Sequence, residues 1–171
     1  MVGTAARHRP SDDDRLKAID IALSGLVRDD DLRDVAARLE LLHPRNDTFP
    51  PEVLLELAAD AIAVSGASVR SPLEFEAIRG RFLADGVAHT KAQHDKSKYA
   101  LRAAAMLHGG VDPGLLDEVR WWQSDDLWYW SLEALVAYVR AAADRTGQSV
   151  EFVCRRIAEQ RGVTLAANTS E

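Results

Sequence analysis

The chain has 171 residues and a net charge of -6, with 28% charged and 47% hydrophobic residues. A chain of this length can bury about two thirds of its surface without disulfides or metals, and its composition is too apolar for a disordered protein. The acidic balance counts against generic binding to nucleic acid, because phosphates are held mainly by positive charge.

Composition also bears on where the protein works. The first residues are polar, and no apolar run approaches the roughly 20 residues that a membrane span needs. Cys154 is the single cysteine, so no internal disulfide can form. We therefore expect a cytoplasmic protein without membrane contact. Frequent alanine, and arginine in place of lysine, indicate a GC-rich bacterial source.

Two helices are predicted first along the chain. The first begins at Ser11, a capping residue, and Gly25 is its expected weak point. The second follows directly and ends before Pro44, so the pair should form a hairpin. The predicted apolar stripes are Leu16, Ile19, Leu23 and Leu26 in the first helix, and Leu32, Val35, Ala36, Leu39 and Leu42 in the second.

The middle of the chain predicts three more helices. One runs from Pro51 to Gly66 and has a broad apolar face, which favours a central position. Another begins with the capping box of Ser71, and a third extends from about Lys91 to Leu107. The helix before Gly66 carries an acidic stripe, for which we expect solvent or an opposite charge as compensation: Glu52, Glu56 and Asp60.

The remaining helices are predicted from Asp112, from Ser124 to Gly147, and through the segment 149–162. Short connections and the lack of strand periodicity predict an all-α, single-domain bundle of about eight short to medium helices. We assign the domain to residues 11–162 and expect flexible termini at 1–10 and 163–171. The last helix should bury Val150, Val153, Cys154 and Ile157.

All four tryptophans lie between residues 121 and 130, and helical spacing separates them by face. Trp122 and Trp128 are predicted to be core, Trp121 lies at a boundary, and Trp130 shares a flank with alanines. The predicted polar side of the later helix is Tyr129, Glu133 and Arg140. An alternative is a ligand cleft, suited to a sugar or a cation, formed by Trp121, Asp125, Asp126 and Tyr129. The two aspartates have a simpler interpretation as residues of a helical first turn.

Three of the four lysines lie between residues 91 and 98. This concentration of positive charge in an acidic chain predicts a contact surface for an acidic protein partner. Its proposed members share a helical face: Lys91, His94, Lys98 and Arg102. The alternative interpretation is that these side chains are solvated, or neutralise the acidic stripe within the fold.

His94 and Asp95 form a dipeptide that resembles the signature of the HD-domain phosphohydrolases, which are also all-helical. The resemblance covers these two residues and implies a metal-dependent hydrolase, with His43 and a later aspartate, Asp112, Asp117 or another, as further ligands. The preceding residues are polar and lysine-rich, unlike the apolar approach that the family has. No other metal or nucleophile pattern is present, and Cys154 on an apolar face is predicted to be structural.

The sequence therefore favours a non-catalytic helical interaction or regulatory protein that needs no cofactor, bound catalytic group or metal. Its partner would be a protein, with a second copy of the chain as an open alternative. Two other classes stay open: the HD-like phosphohydrolase, and a nucleic-acid-binding module that would use the basic segment with Arg155 and Arg156.

Overall fold

Five helices form the part of the chain that the computed structural model describes, namely residues 12–42, 52–66, 100–101, 104–105, 108 and 124–166. They are α1 (Asp12–Val27), α2 (Leu32–Glu40), α3 (Glu52–Ser65), α4 (Ser124–Thr146) and α5 (Val150–Gln160). The described residues between 100 and 108 are also helical. Within these ranges there is no strand, so the all-α prediction is confirmed there. The helices predicted at Ser71 and Asp112 lie outside the described residues.

The connection between α1 and α2 is a four-residue turn that carries its own stabilising contacts. Asp31 caps α2, its carboxylate accepting from the backbone N–H of Arg33 at 2.8 Å. The carboxylate of Asp30 accepts from Arg28 at 3.0 Å and from Arg38 at 2.9 Å. These hydrogen bonds hold the pKa of Asp30 below its usual value. The turn thus fixes α2 beside α1, as the hairpin prediction requires.

Gly25 lies at the contact between these two helices. α1 continues through Gly25 to Val27, so this position does not end the helix. A Cβ built on Gly25 would lie 2.7 Å from Cγ2 of Val35, closer than two carbon atoms can approach. Glycine at this position therefore permits the close packing of α1 on α2. The sequence alone had indicated only a weak point of the first helix.

The apolar stripe of α1 is rotated from its predicted position. Ile19, Leu23 and Leu26 are buried as expected, but Leu16 is 40% exposed. Ala18 and Ala22 are fully buried, and at about 100° per residue they move the centre of the buried face away from Leu16. The prediction for Leu16 is wrong because it gave weight to the large side chains alone.

The core lies mainly between α3 and α4, which pack more extensively than any other pair of described helices. α3 is central, as its broad apolar face predicts, and contacts α1, α4 and α5. In α4, three side chains of this core are fully buried: Leu132, Leu135 and Val139. None of the described helices is both long enough and apolar enough to cross a membrane.

α5 has well-formed ends. Ser149 caps its start, accepting from the N–H of Phe152 at 3.0 Å. At the other end Gly162 has a φ of 76°, and Val163 N–H donates to the carbonyl of Ala158 at 2.8 Å. This is a Schellman arrangement, in which the left-handed glycine turns the chain back along the helix. Leu165 beyond it is 5% exposed, so the packed structure extends past residue 162.

Candidate functional site

The described residues adjoin the predicted basic surface but do not include it. Lys91, His94, Lys98 and Arg102 lie outside the described residues, as do Asp95, His43 and Asp112 of the HD resemblance. Next to Arg102, the helical residues Ala100, Leu101 and Ala104 are fully buried.

Tyr138 fixes the backbone beside the basic surface. Its side chain is 2% exposed, and its hydroxyl donates to the carbonyl of Leu101 at 2.7 Å. Burial raises the pKa of this phenol above its ordinary value. The bond joins α4 to the residue immediately before Arg102. The sequence shows Tyr138 only as one aromatic residue in an apolar stretch, so no signal in it identifies this contact.

The predicted ligand cleft is described only around Tyr129. Trp121 and the side chains of Asp125 and Asp126 lie outside the described residues, although both aspartates belong to the first turn of α4. Tyr129 is half-buried, and the guanidinium of Arg33 lies over its ring, 5.7 Å from the centroid. A face of the ring that could receive a cationic ligand is therefore already in contact with a cation of the same chain.

Glu133, predicted on the polar side of α4, is buried there, with 6% of its surface exposed. Burial, together with the charge and hydrogen bonding of Glu133, raises the pKa of the neighbouring Tyr129 to about 12, while Arg33 acts to lower it. Glu133, Tyr129 and Arg33 thus form a polar group where α2 packs on α4. Arg140 is exposed, as predicted.

Among the four tryptophans, Trp130 has a described position in the core. It is 2% exposed, and its ring meets Tyr129 edge-on, with 5.2 Å between centroids and an interplanar angle of 82°. The alanine flank predicted beside Trp130 includes the buried Ala134. Trp122 and the side chain of Trp128, predicted to be core, lie outside the described residues. Trp130 is thus a packing residue with edge-to-face geometry typical of aromatic pairs.

Two residues of the acidic stripe of α3, Glu56 and Asp60, have basic partners within the fold, while the side chain of Glu52 lies outside the described residues. The carboxylate of Glu56 accepts from Arg15 of α1 at 2.7 Å. Asp60 receives two bonds from Arg161, from Nε at 2.7 Å and from Nη2 at 2.9 Å. This pairing with Asp60 raises the pKa of Arg161. The negative charges of Glu56 and Asp60 are therefore compensated by opposite charge and not by solvent alone. Arg15 of α1 and Arg161, which follows α5, supply that charge.

Arg155 is also engaged within the fold. Its guanidinium donates to the carboxylate of Glu151 at 2.9 Å and to the carbonyls of Leu165 at 3.3 Å and Ala166 at 3.2 Å. These contacts compete with any phosphate contact at this side chain. Arg156, the other arginine considered for nucleic acid, is exposed.

Cys154 is fully buried, which confirms its predicted place on the apolar face of α5. Burial, with a smaller effect from Glu151, raises the thiol pKa to about 12. At neutral pH the sulfur is therefore protonated and shielded, unlike a nucleophilic cysteine. Among the residues that the structure describes, no three His, Cys, Asp or Glu side chains are grouped to hold a metal ion.

Comparisons of this chain with family models, with curated proteins and with solved structures find no match.

Proposed function

We propose that this chain is a non-catalytic interaction or regulatory protein, and that Lys91, His94, Lys98 and Arg102 contact an acidic protein partner. The observation that carries the proposal is the pairing of the acidic stripe. Because Glu56 and Asp60 have Arg15 and Arg161 as partners, their charge does not require neutralisation by the lysine-rich segment. This weakens the alternative interpretation, in which the lysines neutralise the acidic stripe within the fold.

Local charge supports the same proposal. Between residues 91 and 102 the chain has three lysines and one arginine against one aspartate, although its overall charge is -6. Positive charge concentrated on one segment of an acidic protein favours association with an acidic surface and suppresses association between like-charged surfaces. The bond from Tyr138 to Leu101 adds a fixed point in the backbone next to Arg102.

The proposal includes several finer points that rest on composition and periodicity. We infer about eight helices in a single-domain bundle, a bacterial source and a cytoplasmic location. The partner is proposed to be another protein, and self-association is the alternative. The HD-like phosphohydrolase and the nucleic-acid-binding module stay predictions, and one-to-one metal binding lost in His94→Ala would favour the former.

The test replaces Lys91, Lys98 and Arg102 together by glutamine in the full chain. The matched control removes the same number of charges from exposed residues elsewhere, at Lys17, Arg140 and Arg156. Affinity capture with quantitative mass spectrometry should recover an acidic partner with the parent and the control, at least about ten-fold more than with the triple variant. Capture should also fall with added salt.

Thermal unfolding of the same variants separates a contact surface from an internal counter-charge. For a contact surface, the triple variant should keep the melting temperature of the control. Equal capture by the parent and a fully folded triple variant would contradict the proposal. A large loss of stability in the triple variant alone, with the partner still captured, would instead assign these side chains to the fold.

A further inference from the structure

The segment after α5 folds back along that helix. We call residues 164–166, which follow the Schellman turn, the strap. Leu165 enters the core, whereas Thr164 and Ala166 on either side of it are exposed. Arg155, ten residues before Leu165 in the chain, donates to the carbonyls of Leu165 and Ala166. The strap is thus a non-helical segment with one inserted side chain and two backbone oxygens bound by an arginine.

The end of α5 does not depend on the strap. Gly162 N–H donates to Glu159 and Val163 N–H to Ala158, which satisfies the last carbonyls of the helix. Arg161 separately binds Asp60 of α3. The left-handed Gly162 therefore lies between a helix end that is complete and a strap that is held by its own contacts.

Arg155 is positioned to bind a peptide whether or not the strap is present. Glu151 lies one turn earlier on α5 and accepts from Nε at 3.0 Å and from Nη2 at 2.9 Å. This pairing orients the guanidinium, so that Nη1 and Nη2 face the strap carbonyls. A backbone carbonyl is common to all peptides, while the inserted leucine supplies selectivity.

The strap is held weakly compared with the helices. Burial of one leucine side chain corresponds to roughly a 10- to 100-fold preference for the closed position. The bonds from Arg155 to its carbonyls, at 3.3 and 3.2 Å, are longer than those to Glu151. Opening of the strap should therefore occur without unfolding of the core.

We propose that the strap occupies a peptide-binding site on α5 and acts as an autoinhibitory contact. The site takes an extended partner peptide with a leucine-like side chain, whose two adjacent carbonyls bind Arg155. The partner competes with the strap, so its affinity for the parent chain is lowered by the small fraction of open molecules. The inference is independent of the basic surface proposed above.

Peptide binding tests the proposal in the full chain. Leu165→Ser should release the strap, and the probe is a labelled synthetic peptide of residues 163–171. We expect fluorescence anisotropy to show at least about ten-fold tighter binding to Leu165→Ser than to the parent chain. A probe with serine in place of its leucine should not bind. Equal binding to both proteins, or no binding to folded Leu165→Ser, would contradict the proposal.

The role of Arg155 has its own matched control. Adding Arg155→Gln to Leu165→Ser should weaken peptide binding several-fold, because two charge-assisted bonds are lost. Adding Arg156→Gln, which removes the same charge at the neighbouring exposed position, should not. A similar loss from both substitutions would show that charge alone attracts the probe.

Thiol labelling tests strap opening without releasing it. In Leu165→Cys the introduced thiol and Cys154 both start buried, so Cys154 serves as an internal reference for opening of the core. We expect the thiol at position 165 to react at least about ten-fold faster than Cys154 in the folded protein. Equal rates, or unfolding of Leu165→Ser seen by circular dichroism, would show that the strap opens only when the core unfolds and would overturn the proposal.

Discussion

At the scale of single residues, Cys154 has the clearest chemical consequence. Its thiol has an ordinary pKa of 9.0, which burial raises to about 12. In the unfolded chain this thiol ionises from about pH 9, while in the folded protein it keeps its proton. The unfolded state then binds fewer protons, so the free energy of unfolding must fall as pH rises between about 9 and about 12.

We predict that this fall is partly removed in Cys154→Ala. Urea unfolding at about pH 8 and about pH 10.5 should show a smaller loss of stability for the variant than for the parent. Tyr129 and Tyr138 also have raised pKa values and add to the fall in both proteins, so the difference between the proteins isolates the thiol. The same pH dependence in both proteins would contradict the assignment.

Ser131 shows that a residue can be buried without a compensating bond. It is fully buried, and its hydroxyl has no hydrogen-bond partner among the residues that the structure describes. Such a group costs more than a bonded one because water no longer solvates it. The sequence offered no warning, since serine within a helix commonly bonds to a carbonyl of the preceding turn.

At the scale of helices, the contact of α1 with α2 depends on the absence of one side chain. We predict that Gly25→Ala destabilises the protein by about 1 kcal/mol, because overpacking costs about 1 to 3 kcal/mol and outweighs the better helix propensity of alanine. In a Val35→Ala background the clash is absent, and Gly25→Ala should be neutral or stabilising. Chemical denaturation of the four proteins gives the comparison.

Gly147→Ala is the control for this pair. Gly147 has a φ of 68° and open space around it, so alanine there is strained by its backbone and not by a neighbour. Its cost should be the same with Val35 or Ala at position 35. If Val35→Ala rescued both glycine substitutions equally, the close contact would not explain the effect at Gly25.

At the scale of the whole molecule, arginines connect helices that are far apart in sequence. Arg161 follows α5 and binds Asp60 of α3, 101 residues earlier, while Arg15 of α1 binds Glu56. Paired bonds from one guanidinium to one carboxylate favour a single relative position of the two helices. These ion pairs therefore contribute to the arrangement of α1, α3 and α5.

A double-mutant cycle measures the coupling between Asp60 and Arg161, which are 101 residues apart in sequence. We predict that Asp60→Asn and Arg161→Gln are coupled by about 1 kcal/mol, since the pair is partly exposed and screened by solvent. Higher salt should reduce the coupling. The exposed pair of Lys17 with Asp13 is the control and should show no measurable coupling. Equal results for the two pairs would leave Arg161 without a structural role.

Much of the described fold could be predicted because local rules act on neighbouring residues. Caps such as Ser149 and stops such as Gly66 and Gly147 mark helix ends through hydrogen bonding and backbone conformation. The same rules cannot reveal that Glu133 is buried, because its environment depends on how α2 packs against α4. Charged residues are usually exposed, and periodicity alone gave no reason to treat this one differently.

The partners of the acidic stripe could not be predicted, for a related reason. The sequence indicated that the acidic stripe needs positive charge, but its partners lie 41 and 101 residues away. Choosing Arg15 and Arg161 over the conspicuous lysines requires the three-dimensional arrangement. The sequence of a helix determines which of its side chains share a face. It does not determine which other helix, distant in sequence, packs against that face.

The contact between Gly25 and Val35 also has a consequence for natural variation. Since a Cβ at position 25 meets the valine methyl, each position limits which residue the other can accept. In related chains that keep this helix pair, alanine at position 25 should occur together with a smaller side chain at position 35. The two positions are ten apart in sequence and lie on different helices. Correlated substitution at positions 25 and 35 would therefore indicate that this contact persists during evolution.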